Sequence, residues 1–241
     1  MKRLYTISLI IFLGSGLYAC RKNPTVNPIP TTNMTVKDTD NNVYNVVKIG
    51  NQYWTAENAR MTHFRDGTSI RNLTTPDDWK NPKTATDSAA WCYPRNTINA
   101  DTQKLYGKLY NWYAVADPRK LAPRGYHVAS NDDWDSLTNT LTKNQEGQEL
   151  KAAQYWKDDV DINKLGRNTT KFTALPSGYR TENSKFEYID YYAFFWSTTA
   201  SSNNLNNAFF YSLSHQDKLI PKDVNSKNRG YAVRFVKDAS P

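Results

Sequence analysis

Few side chains in this sequence are suited to bond-making chemistry. The three histidines, His63, His127 and His215, and the two cysteines, Cys20 and Cys92, are the candidates for metal ligation or nucleophilic attack. The histidine spacings match no zinc motif on a helix or knuckle. His127 sits between Tyr126 and Val128 in a predicted strand, where a hydrogen-bonded structural role is expected. There is no Gly-x-Ser-x-Gly, no glycine-rich phosphate loop and no His-Glu-x-x-His. Cys92, between Trp91 and Tyr93, reads as a packed thiol. Asp38-x-Asp40-x-Asn42 imitates the opening of a calcium loop, but Val43 and Ile49 stand where glycine and glutamate belong, so a polar turn is expected. No catalytic residue, metal or cofactor is nominated, and the chain reads as a non-enzyme.

Cys20 is different, because its context gives its thiol a chemistry. Lys2 and Arg3 precede an apolar run at 4–13, and Leu17-x-Ala19-Cys20 resembles the lipobox of bacterial lipoproteins. The expectation is a signal peptide over 1–19 and an acylated Cys20. The apolar run is too short for a spanning helix, which needs roughly 20 apolar residues. A secreted protein cut after Ala19 is the alternative. More than one acyl chain holds a protein stably on a bilayer, at ~0.8 kcal/mol per buried methylene. The expected location is the cell envelope, lipid-anchored, with the outer membrane favoured. Residues 20–37, proline-bearing and without apolar periodicity, read as a tether, and 38–241 as the domain.

Binding chemistry is better represented than catalysis. Tyrosine and tryptophan rings stack on sugar faces, while Asn, Asp and Arg bond hydroxyls. The loop over 180–192 and the asparagine-rich loop over 201–207 are the candidate surfaces, with Arg180, Tyr188, Tyr191, Tyr192, Asn203 and Asn204 as candidate ligand-binding residues. The alternatives are rings that merely cover a core, and a face that docks another envelope protein.

The formal net charge is +8, with basic residues scattered rather than clustered. Nucleic acid is not an expected partner, since neither a binding motif nor a basic stripe is present. With Cys20 acylated, Cys92 has no disulfide partner. Stability must come from burial, and seven Trp, sixteen Tyr and nine Phe supply the area.

The elements that would position these residues follow from periodicity. Two β-rich runs, 43–49 and 52–55, flank Gly50-Asn51 and predict a two-residue hairpin. Leu105, Leu109, Trp112, Tyr113 and Ala116 predict one helix over 104–116. Ser130 and Asp133 form a capping-box pattern ahead of Trp134, Leu137 and Leu141, predicting a second helix, with a short third one around 148–153. Strands are expected at 172–175, 194–197, 209–213 and 231–236. The class is α+β: two main helices, small antiparallel sheets, paired terminal strands and long loops.

The motifs together resemble a known family. Val47-x-Ile49-Gly50-x-Gln52-x-Trp54-x-x-Glu57-Asn58, Tyr106-Gly107-x-Leu109-Tyr110-Asn111-Trp112-Tyr113-Ala114-Val115 and Gly125-Tyr126-His127-Val128-x-Ser130 carry the first half of the resemblance. Phe172-Thr173-Ala174-Leu175-Pro176-x-Gly178-Tyr179-Arg180, Trp196-Ser197-x-Thr199 and Gly230-Tyr231-x-Val233-Arg234-x-Val236 carry the second. They resemble the Fibrobacter succinogenes major paralogous domain over about 36–238. The pattern is also similar to the C-type-lectin-like fold of sulfatase-modifying-factor relatives, which implies paired terminal strands and a loop-rich face. It does not imply their activity, because the reactive cysteines and the His-rich helix of enzymes on that fold are missing. The family's usual cysteines are Ala122 and Phe235 here, so the resemblance implies that these two residues lie close together.

Overall fold

The hairpin at Gly50-Asn51 forms as its residues predict. In the computed structural model, which describes residues 34–81, 88–157 and 166–238, β2 (Val43–Ile49) and β3 (Gln52–Thr55) pair antiparallel with Ile49 opposite Gln52. Gly50 takes φ 57°, the positive value required at the first turn position. A short strand, β1 (Thr35–Lys37), adds to the outer edge of β2. This strand lies inside the stretch assigned to the tether, and its Val36 packs against the core.

The C-terminal chain closes this sheet. Strand β13 (Phe235–Asp238) pairs with β3 on one side and with β7 (His127–Val128) on the other, giving the order β1-β2-β3-β13-β7. Successive side chains of a strand point to opposite faces. Phe235 accordingly enters a cluster with Tyr44, Val128 and Ala122, while Val236 enters a second one with Trp54, Trp134 and Leu137. At β13 the sheet is therefore packed on both faces, and Ala122 and Phe235 share one cluster.

Three smaller sheets surround it. Strands β10 (Tyr192–Ala200), β11 (Asn207–Ser214) and β12 (Lys222–Ser226) form an antiparallel meander. Strands β4 (Arg71–Asn72), β5 (Ala90–Cys92) and β6 (Leu109–Tyr110) form a mixed sheet whose β4–β5 pair is parallel, an exception to the all-antiparallel expectation. Strands β8 (Tyr179–Arg180) and β9 (Phe186–Glu187) make a hairpin. Helices are few and short: α1 (Pro76–Lys80), α2 (Ala100–Tyr106), α3 (Trp112–Val115), α4 (Asn131–Asn139) and α5 (Glu146–Leu150). The architecture is mixed α and β.

The helix expected over 104–116 does not exist as one element. Gly107, at φ 68° and ψ −152°, ends α2, and a β-carbon there would come within 2.9 Å of the Ala59 carbonyl oxygen. Leu109 and Tyr110 then run extended, with Tyr110 and Tyr231 exchanging backbone hydrogen bonds of 2.8 and 3.0 Å. Asn111 starts a new helix by accepting from the Ala114 amide, while its side chain also bridges Ala90 and Ser88. A strand followed by a helical turn can imitate helical periodicity over a dozen residues. The expected strand at 172–175 is also absent, apart from one bridge between Lys151 and Ala174. Lys171 and Thr173 take positive φ, and the carbonyls of Phe172 and Thr173 are satisfied by Arg234 instead of a neighbouring strand.

The capped helix forms as read. Ser130 Oγ accepts from the Asp133 amide, and the Asp133 carboxylate accepts from the Ser130 amide at 2.8 Å. This cap directs Trp134 into an aromatic cluster, stacked on Tyr211 at 5.0 Å and tilted against Trp54 and Phe195. The third helix forms two residues earlier than expected, at Glu146–Leu150.

Candidate functional site

The segment after β9 carries two exposed tyrosines, Tyr188 and Tyr191. Ser184, Tyr188 and Asp190 all hold positive φ, of 73°, 58° and 74°, a conformation that costs non-glycine residues of order 1–3 kcal/mol each. Surrounding hydrogen bonds fix it. The Asp190 amide donates to Pro176, the Asp190 carbonyl accepts from the Lys157 amide, and the amides of Tyr191 and Tyr192 both donate to the Tyr188 carbonyl. The loop lies directly on Gly178, where a β-carbon would come within 2.3 Å of the Glu187 carbonyl oxygen.

Tyr188 is built as a platform. One side of its ring is stacked on Tyr179 at 6.0 Å with 14° between planes, and Tyr192 meets it edge-on at 5.2 Å. The residue remains 52% exposed, and Tyr191, set edge-on against His215, 37%. Behind Tyr179 the ring contacts continue inward, edge-on to Phe194 and then stacked from Phe194 onto the buried Tyr231. A cleft of about 320 Å³ opens between Arg95, Phe186, Tyr188, Ile189 and Tyr191.

Polar groups border these rings. Arg95, itself at φ 52°, lies 4.0 Å from the Asp190 carboxylate, with both side chains largely in water. An exposed pair of that length contributes little to stability, so the Arg95 head is available to a ligand, while the Asp190 carboxylate also accepts from the Tyr106 hydroxyl. Tyr106 stands on the other side of Asp190. Burial, and then the charge of Asp190, push its hydroxyl up to about 12. Two ring platforms, a guanidinium and a carboxylate can grip a small polar ring by its apolar face and its hydroxyls.

Arg180 is not part of this cleft. It is 1% exposed, with its guanidinium 4.5 Å from the Trp79 ring and 5.0 Å from Phe186. It donates to the carbonyls of Leu73, Thr74 and Thr75 and to Ser184 Oγ. Its role is to tie the segment before α1 to the β8–β9 hairpin. Asn203 and Asn204 are exposed but belong to the β10–β11 turn, where Asn204 accepts from the Asn206 amide. Tyr192 and Ala200 are the two ends of β10, about 26 Å apart at ~3.3 Å per residue. The asparagine loop and the tyrosine loop therefore do not form one site. Of the six candidates, Tyr188 and Tyr191 line the cleft and Tyr192 supports it from the side.

Ile189 and Asp190 fall inside the 180–192 loop without being singled out there, and Arg95 had no signal in the sequence. Arg95 follows Pro94 in a one-turn 3-10 helix nearly a hundred residues from Tyr188, and only the fold joins the two. Cys20 lies outside the described residues.

The remaining titratable candidates are each held by neighbouring side chains. His127 Nε2 lies 3.0 Å from Asp133, which also accepts from Ser130 Oγ and Gln52. Burial would raise the Asp133 carboxyl, but the hydrogen bonds from His127 and Ser130 outweigh it and hold the group below its ordinary value. His63 Nδ1 pairs with Asp40, which also caps the amides of Thr62 and His63, as a polar turn would. His215 packs against Tyr191 and Tyr192. Cys92 is fully buried, and desolvation pushes its thiol up to about 12. Among the described residues no three His, Cys, Asp or Glu gather as a metal site would need, and no helix is long and apolar enough to cross a membrane.

The family model of the Fibrobacter succinogenes major domain matches residues 47–237. No curated protein and no solved structure matches the chain.

Proposed function

The chain belongs to the Fibrobacter succinogenes major domain family, and from that premise we propose that it is a non-enzymatic binding module of the cell envelope, held by lipid on Cys20, whose Tyr188 cleft takes a saccharide. The observation that carries this reading is the Tyr188 ring, braced by Tyr179 on one side and half exposed beside Arg95 and Asp190. A pyranose would lay its C–H face on Tyr188 and direct its hydroxyls to those two charged groups. Glycoside hydrolysis by the usual route needs a pair of carboxyls flanking the bond. Among the described residues no carboxyl lines this cleft and Asp190 borders it beside Arg95, which favours binding over cleavage.

The lipobox-like Leu17-x-Ala19-Cys20 supports a lipid anchor, with the outer membrane as the destination. Paired terminal strands and a loop-borne cleft support grouping the fold with C-type-lectin-like domains. A second reading, docking of an envelope protein, is favoured by Ile98, 95% exposed in the loop between Asn96 and α2.

The test is binding of the full-length protein to a panel of soluble and insoluble polysaccharides, with Tyr188→Ala and Tyr191→Ala beside it. Saccharide binding that falls about tenfold or more in both variants, with folding intact, supports the cleft; ring stacking of order 1 kcal/mol or more per platform sets that scale. No binding to any glycan by the folded protein overturns the saccharide reading in favour of a protein partner. Cys20→Ala, followed by membrane fractionation, tests the anchor separately.

A further inference from the structure

A second cleft, of about 480 Å³, lies between α2 and the start of β2. Its lining carries three cationic side chains, Arg60, Lys104 and Lys108, beside the amides of Asn42 and Gln103, and no carboxylate. Lys108 is the unusual member. It is 4% exposed, and a buried ammonium is costly without a counter-ion.

Among the described residues no carboxylate comes within ion-pair distance of Lys108. The nearest acids that act on it, Asp40 and Asp38, are committed elsewhere. Asp40 accepts from Thr62 and His63, and Asp38 accepts from Asn42 and the Tyr44 hydroxyl. Lys108 Nζ donates to the Arg60 carbonyl at 2.7 Å and to the Tyr93 hydroxyl at 3.2 Å. An ammonium has three N–H groups. The rings of Trp91 and Tyr93, 4.5 and 4.7 Å away, hold the charge from the side, and the third N–H is left for the cleft. Arg60, braced over Tyr44 at 4.7 Å, and Lys104, exposed on the last turn of α2, add two further positive groups around the opening.

We propose that this cleft is an oxyanion-binding site, in which a carboxylate, sulfate or phosphate group takes the third Lys108 N–H and is flanked by Arg60 and Lys104. An oxyanion there supplies the counter-charge that Lys108 lacks, and charge-assisted hydrogen bonds in a partly desolvated pocket are the strong ones. The site stands independently of the saccharide reading, since it shares no residue with the Tyr188 cleft. The two clefts do meet along the chain: Tyr93 lines this one and Arg95 lines the other, two residues apart. The oxyanion could therefore belong to an acidic sugar or be a free inorganic ion.

The experiment is nuclear magnetic resonance of the full-length protein labelled at lysine Cε, titrated with sodium sulfate, sodium phosphate and an oligogalacturonide, with sodium chloride as the ionic-strength control. The expected result is a saturable shift of the Lys108 signal with at least one probe and none with chloride. Lys104→Glu, a surface change that leaves the fold intact, should weaken that binding about tenfold by inverting one flanking charge. Lys108→Met, which keeps the stem between Trp91 and Tyr93 but removes that reporter, should abolish the accompanying shift of the Lys104 signal. Tighter binding of the oligogalacturonide than of either inorganic ion, weakened further by Tyr188→Ala, supports the oxyanion site and gives its source as an acidic glycan. Saturable binding of inorganic ions alone supports the site and rejects that source. A Lys108 signal that responds to no probe, or responds equally to chloride, overturns the proposal.

Discussion

The Arg180 guanidinium lies 4.5 Å from the centroid of the Trp79 ring, while Trp79 Nε1 donates to the carbonyl of Thr181, the next residue along from Arg180. The two side chains clamp α1 to the β8–β9 hairpin. Arg180→Met would remove the charge and leave the carbonyls of Leu73, Thr74 and Thr75 without that donor. Loss of such a buried, multiply bonded cation costs about 3–5 kcal/mol. Urea unfolding should show a loss of that size.

Arg234 makes the same kind of bond at the centre of the domain. It is fully buried and donates to Asn58 Oδ1 and to the carbonyls of Thr55, Phe172 and Thr173, between the rings of Phe172 and Phe195. Burial pushes its pKa down, yet these four acceptors keep a guanidinium protonated at any ordinary pH. Arg234→Lys keeps the charge but cannot reproduce the fork. We expect a loss of about 2–4 kcal/mol by chemical denaturation, larger than for Lys substitutions at exposed arginines such as Arg95.

Acid should destabilise the protein through Asp133. Its folded pKa lies below the ordinary value, so its contribution is complete above about pH 4, where an unfolded aspartate is ionised. That contribution is lost as pH falls through the depressed folded value. Asp133→Asn should lose stability at pH 7 and flatten the acid limb of the stability profile, measured by thermal unfolding from pH 7 down to pH 2.

Lys108 should act in the opposite pH range. Burial lowers its pKa from 10.5 to about 8, with Asp40 and Asp38 opposing the shift and Arg60 adding to it. Between those two values the unfolded chain binds more protons, so stability rises as pH rises from about 8 to 10.5. A shift of this size corresponds to about 3 kcal/mol. Lys108→Met should remove that part of the rise, read from urea midpoints across the interval, and a saturating oxyanion should reduce it by stabilising the charged form.

Cys92 is predicted to be inert. With its thiol buried and pushed up to about 12, the thiolate needed for attack is scarce at neutral pH. Mass-spectrometric mapping after iodoacetamide treatment should find Cys92 unlabelled in the native protein and fully labelled in urea. Rapid native labelling would contradict the burial.

Local signals were legible where the interactions that decide an element lie within it. The Gly50-Asn51 hairpin and the Ser130–Asp133 cap are closed by neighbouring residues, so their positions follow from spacing. The 104–116 helix failed for the converse reason. Its apolar positions are met by a strand that bonds Tyr231 and a turn started by Asn111, and the decisive steric fact, the closeness of Gly107 to Ala59, is not local. Tyr188 and Tyr191 were identifiable as ring platforms by residue type. Arg180, of equal promise on paper, is consumed by carbonyls more than a hundred residues earlier in the chain.

By itself the sequence determined the kind of molecule: an aromatic-rich domain with terminal strands able to pair, and motifs enough to place it in its family. Composition, turn chemistry and caps act over a few residues, and a reader of the chain can follow them. Which polar groups face solvent and which are spent inside was decided only in three dimensions. A guanidinium or ammonium takes its role from the carbonyls and rings the fold brings to it, so Arg180 and Arg234 became internal ties. Arg95 became a wall of the tyrosine cleft, and Lys108 was left buried with one N–H facing an open pocket.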